Sequence, residues 1–252
     1  LKNIFRKICS SLIALLIWPT FAIVFLIAAF LYIIVTLFIS SRRLYPLAKI
    51  LSRLILLSAG QRLKFVGKMP HPQTGPYLYL FNHQSMLDHF AIAAGINEYI
   101  SAVGAAFQFS WPIWGMLIKR IGVIPIVNTD LTKAIHSLSL AEYKIREGTS
   151  FLISPEGTRT VTGKMGLFKK GAFHLALNTG VTIVPIGLMG AYAAKKRFDW
   201  RIYPGKIIVN IGQLVQANYY NQMTVEELRD DIRKRIAELC KDDLVVKNTE
   251  CE

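Results

Sequence analysis

From Ser11 to Ser40 the chain reads SLIALLIWPTFAIVFLIAAFLYIIVTLFIS, a run without a single charge. As a helix it would reach about 45 Å, against a hydrocarbon core of roughly 30 Å. Every face is apolar, and a buried helix of a soluble protein is a poor reading of it. The run is too long for a cleavable signal peptide, and no small-x-small site follows it. It is therefore expected in a membrane, with Pro19 a place to bend. Lys2, Arg6 and Lys7 precede it, and Arg42, Arg43, Lys49 and Arg53 follow. Basic flanks mark the cytoplasmic side. With both ends basic, a single tilted span and a bent helix dipping into one leaflet both fit. The next stretch, LYPLAKILSRLILLSAG, sets Leu44, Leu47, Leu51, Leu54 and Ile55 at helical spacing with Lys49 and Arg53 off that face. That pattern predicts a helix lying in the interface. Residues 1–60 thus read as a two-helix membrane mount.

After Gly60 short apolar runs alternate with helical patterns. Strands are expected at LKFVG from Leu63, YLYLF from Tyr77, YISAVGAA from Tyr99, GVIPIV from Gly122, SFLIS from Ser150, TIVPIGLMG from Thr182 and KIIVNIG from Lys206. Helices are expected from about Ser85, Trp111, Asp130, Gly171 and Thr224, the last with the Thr224–Glu227 spacing of a capping box. Continuous apolar strands separated by helices predict an α/β domain over 61–252, a mixed, largely parallel sheet flanked by helices.

Hydrophobic residues make up 52% of the 252 and charged ones 18%, apolar for a soluble protein and too polar for a multi-span one. The 30 Lys+Arg exceed the 16 Asp+Glu by 14. Such an excess suits nucleic acid, an anionic membrane surface or acidic substrates. No recognition motif or aromatic-interleaved basic stripe favours nucleic acid. Cys9, Cys240 and Cys251 form no CxxC, so neither a disulfide framework nor a zinc knuckle is expected and a reducing compartment fits.

Two stretches carry chemistry. In FNHQSMLDHF, Phe81 to Phe90, His83 and Asp88 would point about 140° apart on a regular helix. A strand ending at Phe81, a turn, and a helix capped by Ser85 would let Asp88 fold back to His83. A carboxylate on one ring nitrogen leaves the other able to take a proton from a hydroxyl. The plainer alternative is that Asp88 only caps the helix and His83 is a surface turn residue. Ser85 offers a rival Ser-His-Asp route, but no G-x-S-x-G elbow occurs. His89 reads as packing, and His71, His136 and His174 as structural; no third ligand accompanies Asp88 and His89 as a metal site would need. The second stretch, FLISPEGTRT, runs from a strand into Glu156, Gly157, Thr158 and Arg159, a turn that presents N–H groups and a guanidinium to a phosphate or carboxylate.

Together these elements resemble the glycerolipid acyltransferase family of the 1-acylglycerol-3-phosphate acyltransferase type. NHQSMLD matches its N-H-x-x-x-x-D motif and SPEGTR its P-E-G-T-R motif, with GLFKKGAF and VPI following in order. The resemblance covers most of Tyr77 to Gly190. It implies His83 as base, Asp88 as its orienter, and Glu156, Gly157, Thr158 and Arg159 as the turn that holds a phosphate-bearing acceptor. Asn82 and Lys169 are added as substrate-binding residues. It implies acyl transfer from acyl-CoA or acyl-ACP, as co-substrate and without a cofactor or metal, to a lysolipid hydroxyl at the cytoplasmic face of a membrane. The backbone N–H groups at the start of the Ser85 helix are the expected oxyanion donors. One departure stands out. Two cations usual for a lysophosphatidate acceptor are missing, with Ala105 or Ala106 and Asn128 in their places; Lys119 and Arg120 are the candidate substitutes.

Overall fold

The computed structural model describes residues 2–127 and 129–241. Its helices are α1 (Lys2–Val35), α2 (Tyr45–Ser58), α3 (Asp88–Ala93), α4 (Trp114–Ile121), α5 (Leu131–Arg146), α6 (Gly171–Thr179), α7 (Ala191–Ala194), α8 (Ala217–Tyr220) and α9 (Val225–Leu239). The strands are β1 (Gln61–Val66), β2 (Tyr77–Phe81), β3 (Ile100–Ala105), β4 (Ile124–Ile126), β5 (Ser150–Ile153), β6 (Thr182–Met189) and β7 (Gly205–Ile211). All seven expected strands form, within a residue or two at most ends. They make one sheet among the described residues, in the order β1-β7-β6-β2-β5-β3-β4. Every pairing is parallel except β6 with β7.

The central strand shows why the sheet needs helices on both faces. All five residues of β2 are buried, and alternate side chains leave by opposite faces. Tyr77, Tyr79 and Phe81 enter a core built with α1, α2 and α3. Leu78 and Leu80 enter a second core built with α5, α6 and α9. Local signals start the covering helices. Asp130 accepts from the Lys133 N–H at 3.1 Å ahead of α5. Thr224 and Glu227 close a reciprocal capping box ahead of α9.

The N-terminal segment departs from expectation in two ways. α1 runs unbroken through Pro19. Its apolar residues divide between two sides. Phe21, Ala28, Ala29 and Tyr32 are buried against the domain, whereas Leu12, Leu16, Ile23, Ile27, Phe30 and Ile34 are exposed on the opposite side. The face expected to carry α2 into the interface is largely turned inward: Leu44 and Ile55 are buried, with Leu47 and Leu51 packed beside them. Ile50, Leu54 and Leu57 are exposed instead. Lys49 and Arg53 reach the domain, donating to Asn97 Oδ1 at 2.6 Å and to the Ala94 carbonyl at 3.1 Å. The expected boundary falls on Gly60, in the left-handed region at φ +70°. Yet α1 and α2 share a core with the sheet, so residues 1–60 are not a detached unit.

Candidate functional site

Strands β6, β2 and β5 are neighbours and parallel, so their carboxyl ends open on one edge, where open α/β sheets bind ligands. The end of β2 is fixed by Asn82. Its amide donates to the Leu188 carbonyl at 3.0 Å and accepts from the Leu188 N–H at 2.7 Å. Asn82 is buried, and these two bonds to β6 hold the turn.

His83 follows. Its Nδ1 lies 2.7 Å from Asp88 Oδ2, with Asp88 fully buried and the imidazole partly open. The five-residue spacing works because α3 begins only at Asp88, which leaves a turn from Asn82 to Leu87 in between. That turn is organised by the carboxylate: Asp88 Oδ2 also accepts the N–H groups of Gln84 at 2.6 Å and Ser85 at 2.8 Å. Two expectations are corrected here. Ser85 is not the N-cap, for α3 begins at Asp88 with Leu87 at its cap position; the buried Ser85 hydroxyl accepts from Leu87 N–H at 3.4 Å within the turn and donates to the Lys195 carbonyl at 3.0 Å. The Gln84 and Ser85 N–H groups are not available for an oxyanion, because both are bound to Asp88. Among the described residues, the Thr158 and Arg159 N–H groups have no protein acceptor.

The Pro155–Thr160 turn after β5 grips the same backbone. Glu156 Oε1 accepts from His83 N–H at 2.8 Å, and Oε2 accepts from Gly166 N–H at 2.7 Å. The His83 carbonyl in turn accepts from Thr160 N–H at 2.9 Å. Burial pushes the Glu156 carboxyl up, and the two backbone bonds offset part of that. Both oxygens being engaged by backbone, Glu156 latches the two motifs together. Gly157 sits at φ +67°, and Lys169 packs over it so closely that a Cβ would meet Cε at 3.1 Å. Thr158 Oγ1 accepts from Arg197 at 2.9 Å. The Arg159 guanidinium has no protein acceptor among the described residues; burial first, then the neighbouring Arg197, holds it below its usual range.

A cavity of about 890 Å³ opens at this edge. His83, Thr158, Arg159, Lys169 and Arg197 line its polar part, and Val103, Ile126, Ile135, Leu138, Leu152 and Leu175 line an apolar part running between the sheet and α5–α6. That combination of apolar walls and a few convergent polar groups is what a ligand pocket requires. His89 also lines it, edge-on to His83 with centroids 5.3 Å apart. Burial, then His83 and Arg159, depress its pKa to about 3, so it stays neutral. Lys119 and Arg120 are not in the cavity. They are exposed at the C-terminal end of α4, where the Arg120 carbonyl accepts from Ser41 beyond α1. Ala105 does line the cavity, and Asn128 lies outside the described residues. His71 caps a short turn by accepting from Gln73 N–H at 3.3 Å, His136 is exposed, and His174 lines the cavity. Among the described residues no three His, Cys, Asp or Glu side chains converge on a metal position. Arg197 and the Ser85–Lys195 bond escaped the sequence reading. The only hint of them was the basic run Lys195–Lys196–Arg197 after the VPIG strand.

The fold and site therefore define an α/β protein with a histidine–carboxylate pair at the carboxyl ends of its central parallel strands, over a long apolar cavity. Residues 62–189 match the family model described as Acyltransferase, and the chain belongs to that family. It is 30% identical to the 1-acyl-sn-glycerol-3-phosphate acyltransferase of Pseudomonas aeruginosa, over 71% of this chain and 69% of that one. With the Haemophilus influenzae protein of the same name the identity is 30%, over 64% of this chain and 69% of the relative. The chloroplastic LPAT1 of Arabidopsis thaliana is 36% identical over 46% of this chain and 32% of its own length. The chain thus spans only about a third of that longer plant relative. The crystal structure of the 1-acyl-sn-glycerophosphate acyltransferase PlsC from Thermotoga maritima has the same fold, with a TM-score of 0.79 at 20% identity, covering 93% of this chain and 96% of that one.

Proposed function

We propose that this protein transfers an acyl group from a thioester, carried on CoA or an acyl carrier protein, to the free hydroxyl of 1-acylglycerol 3-phosphate, giving phosphatidic acid. The observation that carries the reading is the 2.7 Å contact of His83 Nδ1 with the buried Asp88, at the mouth of an apolar cavity that also exposes Arg159. Asp88 holds the proton on Nδ1, which leaves Nε2 as the base. Nε2 takes the acceptor's hydroxyl proton as its oxygen bonds to the thioester carbonyl carbon. Asp88 stabilises the imidazolium that forms. When the tetrahedral intermediate collapses, the carbon–sulfur bond breaks and Nε2 returns the proton to the leaving sulfur. The N–H groups of Thr158 and Arg159, residues that line the cavity with His83, are unengaged and serve as donors for the oxyanion. Direct transfer is favoured over an acyl-enzyme, because Ser85 is fully buried and bound to Lys195 rather than to His83. The chemistry as written needs no cofactor.

The mount is read as lying in one leaflet of the cytoplasmic membrane face. One helix is long and apolar enough to cross a membrane, over Lys7–Val35. But its domain-facing stripe from Ala14 to Tyr32 covers about 27 Å at 1.5 Å per residue. A perpendicular crossing would drag the domain into the roughly 30 Å hydrocarbon core. Lying flat, the helix keeps Ile23, Ile27 and Phe30 in lipid and brings the cavity mouth to its substrates. The basic excess suits anionic head groups and an acidic acyl carrier.

The test is a purified-protein assay of one acyl thioester against a panel of lysolipids, including one without glycerol phosphate. Lysophosphatidate is expected to be the best acceptor. His83→Ala is expected to lose roughly 10²–10⁴-fold in kcat without loss of fold. Near-normal turnover in that variant sinks the mechanism, and preference for an uncharged or amino head group sinks the acceptor assignment.

A further inference from the structure

The loop that follows α7 closes over the Pro155–Thr160 turn. It is tied to the histidine turn by Ser85, which donates to the Lys195 carbonyl at 3.0 Å. Lys195 itself is turned away, its buried ammonium bonded to the Lys196 and Asp199 carbonyls. Arg197 is turned inward. Its Nη1 donates to Thr158 Oγ1 at 2.9 Å and to the Arg159 carbonyl at 3.2 Å, which brings its guanidinium alongside that of Arg159 on the cavity wall.

Neither guanidinium has a carboxylate partner among the described residues. The acid in the loop, Asp199, is taken in a fork by Arg201, at 2.9 and 2.8 Å. Two neighbouring, half-buried guanidiniums without a bonded anion repel each other; burial depresses Arg159 first, Arg197 adds to it, and Asp88 offsets part. A phosphate monoester is the group that resolves this, since each planar fork can donate two parallel N–H bonds to its oxygens. Ala105 lines the same cavity, and Lys119 and Arg120 lie elsewhere.

We propose that Arg197 is a second cation for the acceptor's phosphate, gripping it together with Arg159 in place of the cations absent at Ala105 or Ala106 and at Asn128. Head-group selectivity is then set by a residue beyond β6, outside both motifs. This rests on the acyl-transfer reading above and names the group that fixes its acceptor. A thioester donor also carries phosphate, so the same chemistry has two sources, and the assay must separate them.

The experiment uses the full chain with Arg197→Gln and Arg197→Lys, reading KM for lysophosphatidate, KM for the acyl thioester, kcat and Tm. Arg197→Gln is expected to raise the lysophosphatidate KM roughly 10- to 100-fold, the loss of a charge-assisted contact. The donor KM and kcat should stay within about twofold, on the reasoning that the contact is uniform binding to the acceptor alone. Arg197→Lys, which keeps charge without the fork, should fall between. In the wild type the acceptor KM should climb as pH falls through the phosphate's second pKa of about 6, and Arg197→Gln should flatten that step. A packing role would not move this profile. Unchanged acceptor KM overturns the inference, as does a rise in donor KM instead, or a fall in Tm and kcat with KM unaltered. If Arg197→Gln does not fold, the Arg197→Lys profile decides by the same criteria. Wild-type protein that does not acylate lysophosphatidate overturns the functional reading itself, and this inference with it.

Discussion

Replacing Glu156 by glutamine separates a latch from a substrate contact. The carboxylate is buried and accepts two backbone N–H groups, from His83 at 2.8 Å and from Gly166 at 2.7 Å. Glutamine keeps one accepting oxygen and presents an NH2 group to the other N–H. One buried donor is then stranded, at about 1–3 kcal/mol, and the remaining bond loses its charge assistance, at about 1 kcal/mol more. The sum is about 2–4 kcal/mol. For a chain of this size that lowers Tm by about 5–12 °C. Whichever N–H is stranded, the link between the His83 peptide and the loop at Gly166 is weakened, so the imidazole loses its placement, and a shift of about 1 Å costs on the order of 10²-fold in kcat. Acceptor KM should change little. Thermal unfolding in detergent and steady-state kinetics with both substrates varied give the readout. A Glu156→Gln protein with wild-type Tm and kcat but a raised acceptor KM would refute the latch and restore Glu156 as a substrate contact.

Other outcomes follow from the same geometry. Ser85→Ala should keep activity within about threefold while losing about 1–2 kcal/mol of stability, because the Lys195 carbonyl loses its donor. A folded Ser85→Ala protein with turnover abolished would instead favour the acyl-enzyme route. His89 binds its proton only near pH 3 when folded, against 6.5 ordinarily. Between those values the unfolded chain takes up a proton that the folded one refuses, so stability drops as pH falls below about 6.5, by up to about 1.4 kcal/mol per unit. His89→Asn should show a shallower drop when denaturation midpoints are compared at pH 7.5, 5.5 and 4.5, and equal slopes would show that His89 carries none of it.

What was legible in the sequence shares a physical origin. Strands such as YLYLF and SFLI are continuous apolar runs bounded by turn residues, and a strand buried on both faces can be little else. The His83–Asp88 pair was legible because its spacing fits no regular element, so a turn had to intervene. The features that were not legible are bonds between side chains and distant backbone. Ser85 and Lys195 are 110 residues apart, and His83 and Glu156 are 73 apart. No local pattern encodes such contacts, so Ser85 resembled a cap and Glu156 a ligand-facing acid. The inward turn of α2 was hidden for a related reason. Periodicity shows that Leu44, Leu47, Leu51 and Ile55 share a stripe, but not whether protein or lipid covers it.

α1 has one side in the core with Tyr77 and Phe81 and the other side bare. With the mount lying in a leaflet as proposed, the bilayer is a component of this fold rather than a place where it is stored. Lipid acts as a missing packing layer, and a detergent that extracts the protein must rebuild that layer along the whole length of the helix. A version trimmed to begin at residue 61 would not be the soluble enzyme without its anchor. It would be a sheet with α1 and α2 stripped from one face, leaving α3 to cover that core alone with the short α7.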